Sequence, residues 1–172
     1  MRLIEVLNYR PEWASDFEHE CQHLNRVLGS LNPSIHHIGS TSVAGLPAKP
    51  VIDILIEVEN VASLDPFDTA MAEIGYLAKG EFGISGRRHY QKGQDARTHH
   101  IHAFSKGDEH ITRHLAFRDY LRVHKRVAEE YGQLKQKIAA QCGNSIEKYC
   151  ADKNDFIQYH EKRAIDWYCR DQ

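Results

Sequence analysis

The stretch Ile35-His36-His37-Ile38-Gly39-Ser40-Thr41-Ser42, continued through Ala44-Gly45-Leu46-Pro47-Ala48-Lys49-Pro50 into Val51-Ile52-Asp53-Ile54-Leu55-Ile56-Glu57-Val58, decides how this chain is read. It spells a short apolar strand, a Gly-Ser turn, a loop, and a second strand bearing one carboxylate. A Gly-Ser turn offers backbone N–H groups and a hydroxyl to phosphate oxygens, and an Asp on the next strand can hold a divalent cation. A buried strand seldom carries an acid unless something pairs with it, so Asp53, with apolar neighbours on both sides, calls for a partner. The plain alternative is a common turn followed by a structural carboxylate.

Outward from this stretch, Pro11 opens a helix over 11–28, with Phe17, Cys21, Leu24 and Leu28 at helical spacing and Gly29 to Pro33 ending it. Residues 51–56 are almost continuously apolar and rich in β-branched side chains, which predicts a strand covered on both faces. Residues 60–66 read as a linker and 67–74 as a helix stopped by Gly75. A glycine-rich region begins at Tyr76, with His89-Tyr90-Gln91 and 99–104 as its strands. Helices are predicted over 109–123, 125–141 and 145–170, the last after a break at Gly143-Asn144. Strands in the middle and helices at both ends give an α+β class, and the length suits a single domain over 1–172.

The formal net charge of −2 gives no global pull towards nucleic acid, and no ordered aromatic-plus-basic platform is visible, so a nucleic-acid partner is not expected. No apolar run approaches the ~20 residues of a membrane helix. Met1-Arg2-Leu3-Ile4-Glu5 does not read as a signal peptide. Cys21, Cys142, Cys150 and Cys169 lack CxxC spacing, so reduced structural thiols in a cytoplasmic protein are the simplest account.

Twelve histidines are the unusual element of the composition. His100 and His102 alternate on a predicted strand and share a face. They could bind a metal, act as acid and base beside a phosphate, or form a hydrogen-bonded pair within the fold. His110 and His114 have helical ligand spacing, but Ile111 stands where HExxH needs its Glu, so a helix-surface pair is expected. His19-Glu20-Cys21-Gln22-His23 is a formal HExxH match, but Cys21 and Leu24 belong to the apolar stripe, which favours a solvated face. Arg87 and Arg88, flanked by Gly86, are the densest basic pair; the guanidinium fork suits phosphate oxygens. Lys49, just before the Asp53 strand, could reach the same anion. Arg113, Arg118 and Arg122 with Asp119 and Glu129 read as ion pairs along helix faces.

Tyr9-Arg10-Pro11-Glu12-Trp13, His37-Ile38-Gly39-Ser40-Thr41-Ser42-Val43, Lys49-Pro50-Val51-Ile52-Asp53-Ile54-Leu55, Gly86-Arg87-Arg88, Arg97-Thr98-His99-His100-Ile101-His102 and His114-Leu115-Ala116-Phe117-Arg118-Asp119-Tyr120-Leu121 together resemble the GrpB family of the nucleotidyltransferase superfamily. The resemblance covers nearly the whole chain. It implies a mixed sheet flanked by helices, with a helical C-terminal part and a nucleotide-sized cleft. It also implies Gly39, Ser40, Lys49, Arg87 and Arg88 on phosphate, and Asp53, His100 and His102 as catalytic and metal-binding residues, with Mg²⁺ or Mn²⁺ as the ion.

One departure from the superfamily stands out. Active members carry two acids one residue apart on the metal strand, and here Leu55 occupies the second position. Glu57 shares the strand face but lies ~13 Å from Asp53, too far to bridge two ions ~3.5–4 Å apart. The expected function is therefore binding of a nucleotide or other phosphorylated small molecule, with metal-dependent nucleotidyl transfer as its active form. A catalytically inactive ligand- or partner-binding module of the same fold is the alternative. A metal-dependent hydrolase built on the histidines comes third.

Overall fold

The computed structural model describes residues 4–170. Met1–Leu3, three of the five residues read against a signal peptide, lie outside them. In chain order the elements are α1 (Glu12–Leu28), β1 (Ser34–Ile38), β2 (Ile52–Val58), α2 (Asp68–Glu73), β3 (Tyr76–Ala78), β4 (Arg88–Lys92), β5 (His99–Ser105), α3 (Glu109–Val123), α4 (Lys125–Gln141) and α5 (Ile146–Arg170). The class is α+β, as the sequence predicts. Of residues 60–66, expected as a linker, 61–66 instead lie within a 3₁₀ helix over Val61–Phe67, which the Asn60 side chain caps by accepting from the Ala62 N–H. Asn and Ser before a short apolar run are capping signals as much as linker signals.

The five strands form one mixed sheet in the order β1-β2-β5-β4-β3. Only β2 and β5 pair in parallel, placing Asp53 beside His100 and Leu55 beside His102. The antiparallel β4 then sets Gln91 against His100 and His89 against His102.

Strand alternation sends the two halves of each strand to different places. Ile52, Ile54 and Ile56 of β2, Ile101 and Ala103 of β5 and Tyr90 of β4 pack under α1 and α2 against Trp13, Phe17, Leu24, Leu28 and Met71. On the opposite face Leu55 joins Ile38, Phe104 and Ile111 in an apolar cluster beneath α3, and it has no exposed surface. The position of the missing second acid is thus part of a hydrophobic contact and not of a cleft.

Helices α3, α4 and α5 dock on the loop between β1 and β2. Val43 and Leu46 pack with Leu121 of α3 and Tyr131 of α4. Arg122 of α3 donates twice to the Ser42 carbonyl, at 3.0 and 2.8 Å, and Arg118 donates to the His37 carbonyl at 3.2 Å. These arginines, read as helix-face ion pairs, do contact Asp119, but their larger task is to hold both ends of the Gly-Ser turn. Arg113 pairs with Glu161 of α5 at 3.0 Å.

Gly132 makes the α4 contact possible: a Cβ there would stand 2.7 Å from Cδ of Pro47. At an exposed helix site Gly→Ala stabilises by ~1 kcal/mol. Here the sign reverses, because a proline ring cannot swing away. Gly132→Ala is expected to destabilise by ~1–3 kcal/mol in urea unfolding, as overpacking does.

Candidate phosphate-binding cleft

Gly39 follows β1 with φ +72°, a backbone conformation that L side chains rarely adopt, and a Cβ there would lie 2.7 Å from Oδ2 of Asp53. The turn and the carboxylate therefore touch only because residue 39 has no side chain. Ser40 begins a 3₁₀ turn over Ser40–Ser42, which the Ser42 hydroxyl closes by donating to the Gly39 carbonyl.

Asp53 is half-buried. Its Oδ1 lies 3.4 Å from Nε2 of His102 and 3.6 Å from Nδ1 of His100. Burial works against its ionisation, but the two imidazoles set on Oδ1 outweigh that and hold the carboxyl well below its ordinary range. Arg87 fixes which His102 nitrogen faces the acid. Its Nη1 lies 3.3 Å from Nδ1 of His102, and arginine only donates, so Nδ1 accepts and Nε2–H points to Asp53. Both nitrogens of His102 are then engaged, which leaves no lone pair for an ion on the Asp53 side. Among the described residues, no three His, Cys, Asp or Glu side chains form a group able to hold a metal. The Asp53-His100-His102 set therefore does not fit a resident ion, while the Asp53 carboxylate by itself suits a hard cation.

The structure brings Gly39, Ser40, Lys49, Asp53, His100 and His102 together. It turns Arg88 away from them and sets Arg87 behind His102. Arg88 points to the other sheet face, where Nε and Nη2 grip Asp65 at 2.6 and 3.1 Å. Adjacent strand residues face opposite ways, so only one of the pair could reach the cleft. Arg87 is buried and binds the Glu81 and Phe82 carbonyls as well as His102, so it positions the site from behind. His114, expected on a helix surface, lies with its ring 5.2 Å from that of His102, and burial pushes its pKa well down. In the formal HExxH, Glu20 is buried and turns inward to Lys92 at 2.9 Å, so it does not lie on the solvated face expected of it.

Beside Asp53 opens a cavity of about 610 Å³ bordered by Ser40, Lys49, Lys79, Arg97, Lys135 and Lys153, with Asp53 the one acid among the described residues that line it. Lys135 decides its character. The residue is 2% exposed, and its Nζ has no hydrogen-bond partner among the described residues and sits 4.4 Å over the Tyr131 ring. Burial, with the charges of Lys153 and Lys49, pushes its pKa down to about 6. Lys49 and Lys153 each lie 4.9 Å over the Tyr149 ring. Neither Lys135 nor Lys153 had a sequence signal, since each is one lysine among several on an amphipathic helix.

A family profile described as "GrpB protein" matches residues 3–163. The chain belongs to the GrpB family. The conserved protein GrpB from Enterococcus faecalis, a crystal structure, is 44% identical and superposes with a TM-score of 0.91 over 95% of this chain and 99% of that one. The UPF0157 protein YqkA of Bacillus subtilis is 46% identical over 166 residues, 96% of this chain but 48% of YqkA, so the chain spans about half of that relative. Cid1 in complex with its short product ApU shares the fold at a TM-score of 0.53 and 11% identity, over 76% of this chain and 42% of that one. The chain thus has a nucleotidyltransferase-like fold. No described helix is long and apolar enough to cross a membrane.

Two buried histidines make the acid sensitivity of the sheet predictable. Burial pushes His37, which is hydrogen-bonded to Thr41 and stacked on Phe17, down to about 4. Burial, with the nearby Arg87 charge, pushes His89 down to about 3. The unfolded chain protonates both below pH ~6.5 while the fold does not, so it binds more protons and stability falls as pH drops. The depressed Asp53 has the same sign at lower pH: its contribution is present above the ordinary carboxylate range and is lost on acidification. The melting temperature is expected to fall steadily from pH 7 to pH 4, and His37→Gln should flatten that slope in a pH series of melts.

Proposed function

We propose that this chain binds a phosphorylated small molecule of nucleotide size in the cleft beside Asp53. One observation carries the reading: the buried Lys135 amine, without a hydrogen-bond partner among the described residues, faces a cavity that four further cations and a single carboxylate of those residues border. Burying a cation without a partner costs several kcal/mol, and mutual repulsion adds to that cost. A ligand carrying two or more negative charges relieves both. Phosphate suits the donors: the Gly39–Ser42 turn can offer N–H and hydroxyl groups, and the lysines compact point charges.

Nucleotidyl transfer with Mg²⁺ or Mn²⁺ is the second reading, favoured by the Asp53 carboxylate standing against the Gly-Ser turn. The ion would come with the phosphates, as Mg²⁺ does at sites supplying one or two carboxylates. Leu55, sealed beneath α3, weighs against a two-ion reaction, so binding is the function the geometry supports best.

The test is a thermal-shift and calorimetric panel of the four ribonucleoside triphosphates, with and without Mg²⁺, on wild type, Lys135→Met and Asp53→Asn. A ligand near a hundred times its dissociation constant should stabilise wild type by ~2.7 kcal/mol. Lys135→Met should melt higher than wild type without ligand, yet bind ~10- to 100-fold more weakly, the worth of one charged hydrogen bond. Asp53→Asn should remove any gain from Mg²⁺. If no nucleotide shifts the melt with or without the ion, the reading fails.

A further inference from the structure

The connection between β3 and β4 carries the one aromatic side chain bordering the cavity that is largely exposed. Phe82 is 55% exposed and lines the same space as Asp53, Gln91 and His100. A single exposed aromatic is ordinary on a protein surface. The way this one is held is not. Its backbone has φ +49°, the left-handed region, where a bulky residue is a genuine outlier. The buried Arg87 secures that conformation by donating from Nη2 to the Phe82 carbonyl at 2.6 Å and from Nε to the Glu81 carbonyl at 3.1 Å. Behind the ring lies the imidazole of His89, parallel within 6° at a centroid distance of 5.1 Å. His89 is itself buried and fixed by Gln91 at 3.2 Å. The fold accepts local strain to present a rigid aromatic face, backed on one side, at the mouth of a cationic cavity. Backbone strain of this kind concentrates at ligand clamps.

The placement across the sheet adds a second constraint. Ser40 and Lys49 belong to the loop entering β2, whereas Phe82 precedes β4, two strands away in the order β2-β5-β4. Two strand spacings amount to ~10 Å, the reach of a sugar-phosphate. Lys135 and Lys153 come from α4 and α5, which pack over the loop at the β2 end.

We infer that Phe82 is the platform on which the base of a nucleotide stacks, so that the ligand of this cleft is a nucleotide and not a sugar phosphate or inorganic polyphosphate. The inference rests on the phosphate-binding reading above. The base lies on the open face of the Phe82 ring and His89 supports the other face. The sugar crosses above His100, and the phosphates reach Lys49, Lys135 and Lys153. Stacking is tolerant of base identity, because every base presents a π-face.

Calorimetry with the ribonucleoside triphosphates and with inorganic tripolyphosphate, on wild type, Phe82→Ala and Phe82→Trp, tests this. Phe82→Ala is expected to weaken nucleotide binding ~5- to 100-fold, the worth of one stacked base, and to leave tripolyphosphate binding unchanged. Phe82→Trp is expected to retain nucleotide affinity, with its added indole fluorescence quenched by nucleotide and not by tripolyphosphate. Unchanged nucleotide affinity in Phe82→Ala, or an equal loss for both ligands, overturns the stacking assignment while leaving phosphate binding intact. If neither ligand binds wild type, the phosphate-binding reading fails, and the stacking assignment falls with it.

Discussion

Asp53 is wedged between a turn that admits no side chain and a neighbouring strand that presents two imidazoles, and the architecture around the cleft follows from accommodating its charge. The parallel pairing of β2 with β5 puts His100 and His102 within reach of one carboxylate oxygen. Gly39 supplies the approach to the other. Arg87 sets the orientation of His102 from behind, and the same guanidinium ties down the segment that carries Phe82. A carboxylate this well supplied with donors needs no metal to remain charged. That separates the site from two-ion centres, where paired acids face an ion directly.

Charge balance then argues for what the cleft takes. Among the described residues, four lysines and an arginine border one cavity with a single acid, and Lys135 is buried with no hydrogen-bond partner. An apolar residue at position 135 would suit the free chain better, since Tyr131 and the packed face of α4 surround it. Such a conflict between local packing and residue choice is where function commonly resides. Electrostatic attraction of this sort is oriented before the ligand arrives, because Gly132 seats α4 on Pro47 and holds Lys135 one turn further along the helix.

Much of the fold was legible because its signals are local. The apolar run ending at Val58, the Gly-Ser turn and the three C-terminal helices all rest on periodicity and breakers within short windows. Asp53, Ser40 and Lys49 were legible for the same reason. Arg88 was misassigned although strand parity opposed it: if His89 and Gln91 share the His102 face, Arg88 and Tyr90 must take the other. Lys135, Lys153 and Phe82 left no trace in the sequence. Each reaches the cleft through contacts between distant elements, a helix glycine on a loop proline in one case and an arginine bound to a turn carbonyl in another. From sequence alone His114 reads as a surface residue, because spacing on a helix does not reveal which sheet face the helix covers.

The measurement that tests the account most directly is the titration of the Lys135 side-chain nitrogen, followed by ¹⁵N-detected NMR and assigned through Lys135→Met, with and without inorganic tripolyphosphate. The account predicts a free-chain pKa near 6 that rises when the anion binds, because the ammonium gains its missing partner. A Lys135 that titrates at an ordinary lysine value and does not respond to the anion would contradict it.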